Sequence, residues 1–466
     1  MKRHLNEAAK PVLYSERWVS PVLAGICRKL RRSGLPLLVL AIFFPAIAHA
    51  QLVVDCSGST PGAYTTINAA LANVTGPGAA ILVSGTCTEN IVISNMFNLS
   101  LGAWWGQTAT VHGNIAINTS DSIYIYGLNV SNPAGDGFAI TSARGVTLDS
   151  CTSNGNQAHG LTASSMSQIT VLGPASFDNN GPAGVYLTES SSVTVFNGNG
   201  PTDISNNKGP GLYLSQANFE TIGATTLLNN LTTTSNPEFP NPGFGVSEFG
   251  GARVQFGTCL GSNLIEGNEA GGVSVQESSE ISLWNCGTNQ NVIQGNGPVG
   301  ISAGLASQVT IYDNVVITGH TGPGVDLFGA SQLNAFGKNQ ISQNGTASDP
   351  RSAGIRIDGN SEAFLRGGQI SQNAGPAILA LVNSSADFTG VVVAGNSGGI
   401  ITCDSSAYMV SDLTPATSGY PAGVQCRTPN NLRNHQFVPT FPTAPDCSAL
   451  KARQAQYKKV ATPNSN

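Results

Sequence analysis

Short runs of alternating apolar and polar residues return along this chain at a near-regular interval. Each run opens on a glycine (Gly137, Gly160, Gly184, Gly211, Gly245, Gly272, Gly300, Gly324, Gly354 and Gly399) or once on Ala377, and successive openings lie 22 to 34 residues apart. The next residue is always apolar, from Phe138 and Leu161 through to Ile378 and Ile400. The residue three after the opening is apolar as well, except at Glu248 and Thr402. Alternation of period two is the pattern of a strand with one buried face. A second apolar pair follows, as at Val146 and Leu148 or Ile281 and Leu283. A third apolar position precedes an asparagine by three residues, as Phe177 precedes Asn180 and Val393 precedes Asn396. Ile317 keeps that spacing but is followed by His320. Each unit is thus expected to be three short strands and three polar turns, which closes one turn of a coil stacked about 4.8 Å from the next.

Two polar columns recur with the strands. Serines stand between the first and second strands, at positions such as Ser167, Ser191, Ser279, Ser307 and Ser331, and asparagines close the units. Stacked copies of one polar residue can hydrogen-bond from coil to coil, and asparagine both donates and accepts. Segments 90–93 and 114–117 carry the same apolar pattern and predict two further coils before Gly137. Ahead of them, 63–71 has the spacing of an amphipathic helix, followed by a strand at 80–83 and a turn at 84–86. Longer insertions, 231–244 and 346–353, fall at one corner only and flank the coils from Gly245 to Gly324. Four coils would leave a notch of roughly 19 Å between them.

On these features the chain resembles the right-handed parallel β-helix proteins, the pectate-lyase-like superfamily. The resemblance implies an all-β, single-stranded parallel β-helix of about 12 coils with an N-terminal capping helix and an irregular C-terminal tail. It implies a helix plugging the open first coil, and glycan clefts along one side of the coil. It does not fix an activity, because one coil carries many chemistries.

Composition adds a compartment. Arg28, Lys29, Arg31 and Arg32 precede an apolar run at 35–47 that ends Ala48, His49, Ala50, the form of a secretory signal. The expected organisation is a signal peptide at 1–50, a cap at 51–80, the β-helix at 81–412 and a proline-rich basic tail at 413–466. The whole chain has 21 basic and 26 acidic residues. Residues 1–50 hold 8 of the former and 2 of the latter, so the remainder carries 13 against 24, a net of −11. That balance opposes binding to nucleic acid or an anionic membrane. Nine cysteines are present, eight beyond Cys27, as expected of an exported, disulfide-bearing protein. Cys259 and Cys286 are each fourteen after their glycines, one coil apart and within disulfide reach. Cys56 with Cys87 would tie the cap to the first coil, and Cys403 with Cys426 would fasten the tail. Cys151 and Cys447 are left over.

Candidate chemistry falls in three places. Asp326 and Arg356 occupy equivalent positions in adjacent coils, with Asp358, Glu277 and Glu248 expected nearby, and Arg253 and Glu280 form another such pair. Stacked opposite charges make ion pairs; two carboxylates about 5–9.5 Å apart would also serve acid–base cleavage of a glycosidic bond. Glu248 interrupts an apolar column, either as a functional group or through a register shift after the insertion. Tyr186 and Tyr213, at equivalent first-strand positions in adjacent coils, could stack on sugar rings or on each other, and Arg253 is a further candidate for carbohydrate binding. Asp136 and His159 each precede a glycine, and their surroundings are similar to the aspartate and Gly-His-Gly motifs of polygalacturonases. The paired aspartates, the complete Gly-His-Gly and the Arg-Ile-Lys of those enzymes are missing. Pectate lyases use calcium held by several carboxylates with an arginine base. Lys208, Lys338 and five arginines lie in these coils without a dense acidic cluster, so calcium is not indicated and no metal or cofactor is expected. The reading is an exported, non-catalytic structural or carbohydrate-binding protein with a polysaccharide or cell-surface glycan as partner. The alternative is a polysaccharide lyase or glycoside hydrolase working in the groove from Gly245 to Gly354.

Overall fold

The computed structural model describes residues 51–197, 200–232, 243–404, 406–411, 448 and 452. The expected signal segment, nearly all of the tail, and residues 233–242 of the first insertion lie outside these. Each unit supplies three strands. First strands stack into a 13-stranded parallel sheet, from Ile91–Ser94 to Ile401–Cys403. Second and third strands stack on two further faces, joined into one 27-stranded sheet by Ala80–Cys87, which runs through both. The chain is therefore a parallel β-solenoid of 13 turns, counted on the first-strand sheet. Strand 80–83 and turn 84–86 of the sequence reading form this one continuous strand.

The apolar columns point inward and make a single core from Val54 to Ala407. The last coil differs by one residue from the sequence count. Ile378 pairs with Ile401 and Ala380 with Cys403, so Thr402 faces outward and leaves the column. Glu248 is then the one polar residue in it among the described coils.

The glycines that open the units, Gly399 with its φ of 83° apart, are not there for a turn. A Cβ at Gly184 would lie 2.7 Å from the Asn207 amide nitrogen and 2.5 Å from Ile204. At Gly211 the corresponding distance to the Asn230 amide is 2.8 Å, and at Gly324 to the Asn344 amide 2.7 Å. Glycine makes room for the asparagine that closes its own coil. That asparagine is buried, and its side-chain oxygen accepts from both the backbone and the side-chain N–H of the asparagine one coil earlier. The Asn230 amide, for example, donates to Asn268 at 2.8 Å, and Asn268 to Asn296 at 2.8 Å. The ladder begins earlier than the sequence pattern indicated, at Asn132 and Asn156. In the serine column the hydroxyl accepts a backbone N–H from the preceding coil, as Ser191 does from Ser167 at 3.2 Å.

His320 replaces one asparagine. Its ring nitrogens face the carbonyls of Ile293 (3.1 Å) and Asn296 (3.4 Å), while a neutral imidazole has only one N–H to give. Burial lowers its pKa from 6.5 to about 4, against the two carbonyls, which favour the charged form. Below pH 6.5 the unfolded ring binds a proton that the folded ring refuses until about pH 4. Stability contributed above 6.5 is therefore lost as the pH falls through that window. His320→Asn is expected to flatten the acid limb of melting temperature against pH; parallel profiles for variant and wild type would assign that limb to other groups.

The cap helix is shorter than 63–71. It spans Ile67–Leu71, with Thr66 as N-cap accepting from Ala69 at 3.1 Å, because Tyr64 is held in a bridge to Val54. Ile67, Ala70 and Leu71 close the core at this end. Glu89 caps the same terminus, accepting from the backbone of Ile67 and Asn68. Cys56 and Cys87 are disulfide-bonded with Cα atoms 5.2 Å apart, as are Cys259 and Cys286 at 5.0 Å. Cys403 is disulfide-bonded too, whereas Cys426 and Cys447 lie outside the described residues. Cys151 is a free, buried thiol, its pKa pushed up to about 12 by burial. No helix among the described residues is long and apolar enough to cross a membrane.

Candidate functional site

The outward positions of the 13-stranded sheet form one continuous face along the solenoid, and the turn with residues 346–353 borders it on one side. Position two of the first strand supplies Thr162, Tyr186 and Tyr213 in three successive coils, and Asp326 and Arg356 in two successive coils further along. Position four supplies Phe249, Phe328 and Asp358. Two clusters occupy this face, three coils or roughly 14 Å apart between Phe249 of the first and Asp326 of the second.

The first cluster is a stack. Asp136 accepts from the His159 backbone at 3.0 Å and holds its ring Nδ1 at 2.9 Å. Burial raises the Asp136 pKa, but the His159 bonds outweigh it and leave the carboxyl below its usual value. The His159 ring stacks on Tyr186 (centroids 4.7 Å), Tyr186 on Tyr213 (5.2 Å, planes 9° apart), and Tyr213 on Phe249 (5.7 Å). Two candidates that were separate in sequence are therefore one ladder. Its rings turn their faces mainly to each other, so they stabilise the sheet; Tyr213 is buried, while Tyr186 stays partly exposed.

The second cluster is ionic. Arg356 donates through Nη1 to both oxygens of Asp326 (2.9 and 3.2 Å) and through Nη2 to Asp358. All three are half-buried, with side chains 15 to 23% exposed. Burial raises the Asp326 pKa, and this prevails over the attraction of Arg356. On the adjoining insertion, Arg351 pairs with Asp349 at 3.2 Å. Beside the cluster lies an aromatic that the sequence reading did not single out. The far edge of the Phe328 ring fills the place of a side chain at Gly304, where a Cβ would meet it at 2.3 Å. Gly304 thus seats a half-exposed ring against the sheet. A glycine in the outward column one coil before a phenylalanine is the signal that could have revealed it.

The other candidates lie elsewhere. Glu248 points inward, in register with Leu214 and Val275, fully buried and with neither oxygen hydrogen-bonded. The unbroken pairing removes a register shift as its cause. Glu277 is exposed on the turn after its strand, with φ of 56°. Arg253 and Glu280 pair at 2.8 Å on the second-strand sheet, around the corner from this face. Of these carboxylates and arginines, Asp326, Arg356 and Asp358 converge. Cys56, Cys87 and Glu89 also lie together, but both sulfurs are spent in the disulfide and the carboxylate caps the helix.

Comparison with known proteins gives the following. The family model described as right handed beta helix region matches residues 113–287 and 279–414. No curated protein sequence matches the chain. Among solved structures, the A-module of mannuronan C-5 epimerase AlgE6 from Azotobacter vinelandii is similar over 74% of this chain and 93% of its own, at 15% identity and a TM-score of 0.41. The family 28 exopolygalacturonase of Yersinia enterocolitica is similar over 78% of each chain, at 11% identity and a TM-score of 0.27.

Proposed function

We propose that this chain, which belongs to the right-handed β-helix family, is an exported glycan-binding protein whose binding face is the 13-stranded sheet. One observation carries the reading: the Phe328 ring is seated on Gly304 beside the half-buried Asp326, Arg356 and Asp358 network. A ring for the apolar side of a sugar next to fixed polar groups for its hydroxyls is the usual chemistry of glycan recognition, and a flat face spanning several coils suits an extended chain. Tyr186, partly exposed, extends the face through its edge. Export is supported by the signal-like N-terminus and the disulfides.

A second reading, polysaccharide cleavage in the same groove, is favoured by Asp326. The pKa of its carboxyl is raised by burial, as suits a general acid, and Asp358 accepts from the other end of the same guanidinium, which brings a second carboxylate close. One panel separates the two. Soluble polysaccharides are tested by affinity electrophoresis for retention and by assay of reducing ends and unsaturated products for cleavage. Binding without turnover is expected, with retention roughly tenfold weaker in Phe328→Ala and a smaller loss in Tyr186→Ala. Retention indifferent to Phe328→Ala would remove this face from the function. Turnover abolished by Asp326→Asn in a folded protein would establish the enzyme instead.

A further inference from the structure

The charges of this face determine what kind of glycan it can hold. Polyanionic chains, such as polyuronates, are recognised by cations left available for successive carboxylates. Among the described residues, the guanidiniums on the face are Arg351 and Arg356, and each is already held by carboxylates: Arg351 by Asp349, and Arg356 by Asp326 and Asp358 together. His159 is likewise held by Asp136. Freeing any of them for a ligand would leave a half-buried carboxylate without its partner. Arg144 and Lys208 stand on turns at opposite edges of the face, three coils apart or roughly 14 Å, and do not line up along it. The chain as a whole adds repulsion: four of the five described arginines, the two on the face included, are in ion pairs, and the sequence beyond residue 50 carries a net of −11 from 13 basic and 24 acidic residues. The carboxylates of the two clusters, Asp136, Asp326, Asp349 and Asp358, are each already bonded to a side chain of the protein, which a polyamine chain would have to displace. What the face offers outward is aromatic carbon, hydroxyl and amide.

We infer that the ligand is an uncharged polysaccharide. This rests on the glycan-binding reading above, and the test separates the two. Affinity electrophoresis compares hydroxyethyl cellulose and arabinoxylan as neutral probes, polygalacturonate and alginate as polyanions, and chitosan as a polycation. Each is run at low and high salt with the wild-type chain and Phe328→Ala, and circular dichroism verifies that the variant is folded. The expected result is retention by a neutral probe, unchanged by salt, lost in Phe328→Ala, and at least roughly tenfold stronger than by any charged probe. Retention by a polyuronate or chitosan that is lost both in Phe328→Ala and in high salt would overturn the inference and leave glycan binding on this face standing. Retention by no probe, or retention untouched by Phe328→Ala, would overturn both. A second variant gives the converse. Asp326→Asn with Asp358→Asn releases Arg356 and is expected to create salt-sensitive retention by polygalacturonate; if it does not, charge pairing is not what excludes polyanions.

Discussion

Asn268→Ala is expected to destabilise the solenoid by about 3–4 kcal/mol, far more than the ±0.5 kcal/mol usual for an exposed change such as Glu277→Ala. The side chain of Asn268 is fully buried and makes four bonds. Its oxygen accepts the backbone N–H of Asn230 (3.0 Å) and the Asn230 amide (2.8 Å). Its nitrogen donates to Asn296 (2.8 Å) and to the Leu227 carbonyl (2.9 Å). Alanine removes all four and leaves the Asn230 N–H buried, where water cannot reach it, because Gly245 and Ile265 pack against the same site. Asn268→Asp tests the direction of the bonds. Its oxygens can still accept from Asn230, but an ionised carboxylate cannot donate to Asn296 or Leu227. It should cost at least as much at neutral pH and recover part of the loss in acid. Denaturant unfolding of the three variants measures this. A cost for Asn268→Ala no greater than for Glu277→Ala would mean that strand pairing alone holds the coils in register.

The glycine and asparagine columns were both visible in sequence, but their dependence on each other was not. Periodicity shows that Gly245 and Asn268 recur; only the stacked coil shows that one leaves room for the other. Inward columns were legible because burial selects residue type strongly. The exception was the last coil, where counting from Gly399 put Ile400 in place of Ile401. The candidate site was less legible. A count from the glycine fixes the coil a residue belongs to, not the face it occupies. Arg253 and Glu280 therefore looked close to Asp326, yet they lie around a corner on another sheet. Asp326, Arg356 and Asp358 were found because they sit on the first strand itself, where alternation does fix the face. Phe328 was missed because its meaning depends on Gly304, a residue one coil away that contributes no side chain.

Glu248→Leu is expected to stabilise the protein by about 2–4 kcal/mol at neutral pH, an unusual sign for a core substitution. The carboxyl is fully buried between Leu214 and Val275 with no hydrogen bond to either oxygen. Loss of hydration, and secondarily the charge of Glu280, push its pKa well above 4.5, so burial favours the neutral form in the folded protein. Above pH 4.5 the unfolded chain has released this proton and the folded chain has not. Stability from this group is therefore complete below 4.5 and declines as the pH rises towards the folded pKa, by about 1.4 kcal/mol per pH unit. Leucine has similar bulk, matches the column and titrates nowhere. The advantage of Glu248→Leu should thus be smallest in acid and widen through neutral pH. Glu248→Gln should remove the pH dependence but keep most of the burial penalty, because its amide finds no partner either. Melting temperatures of the three proteins from pH 4 to 9 decide it. A gap that stays constant with pH would mean the carboxyl is ionised in the fold and has a counter-charge. A destabilised Glu248→Leu would mean the carboxyl is held by bonds this packing does not account for. The expected outcome makes Glu248 a cost that the asparagine ladder on its own coil, through Asn268, helps the fold to bear.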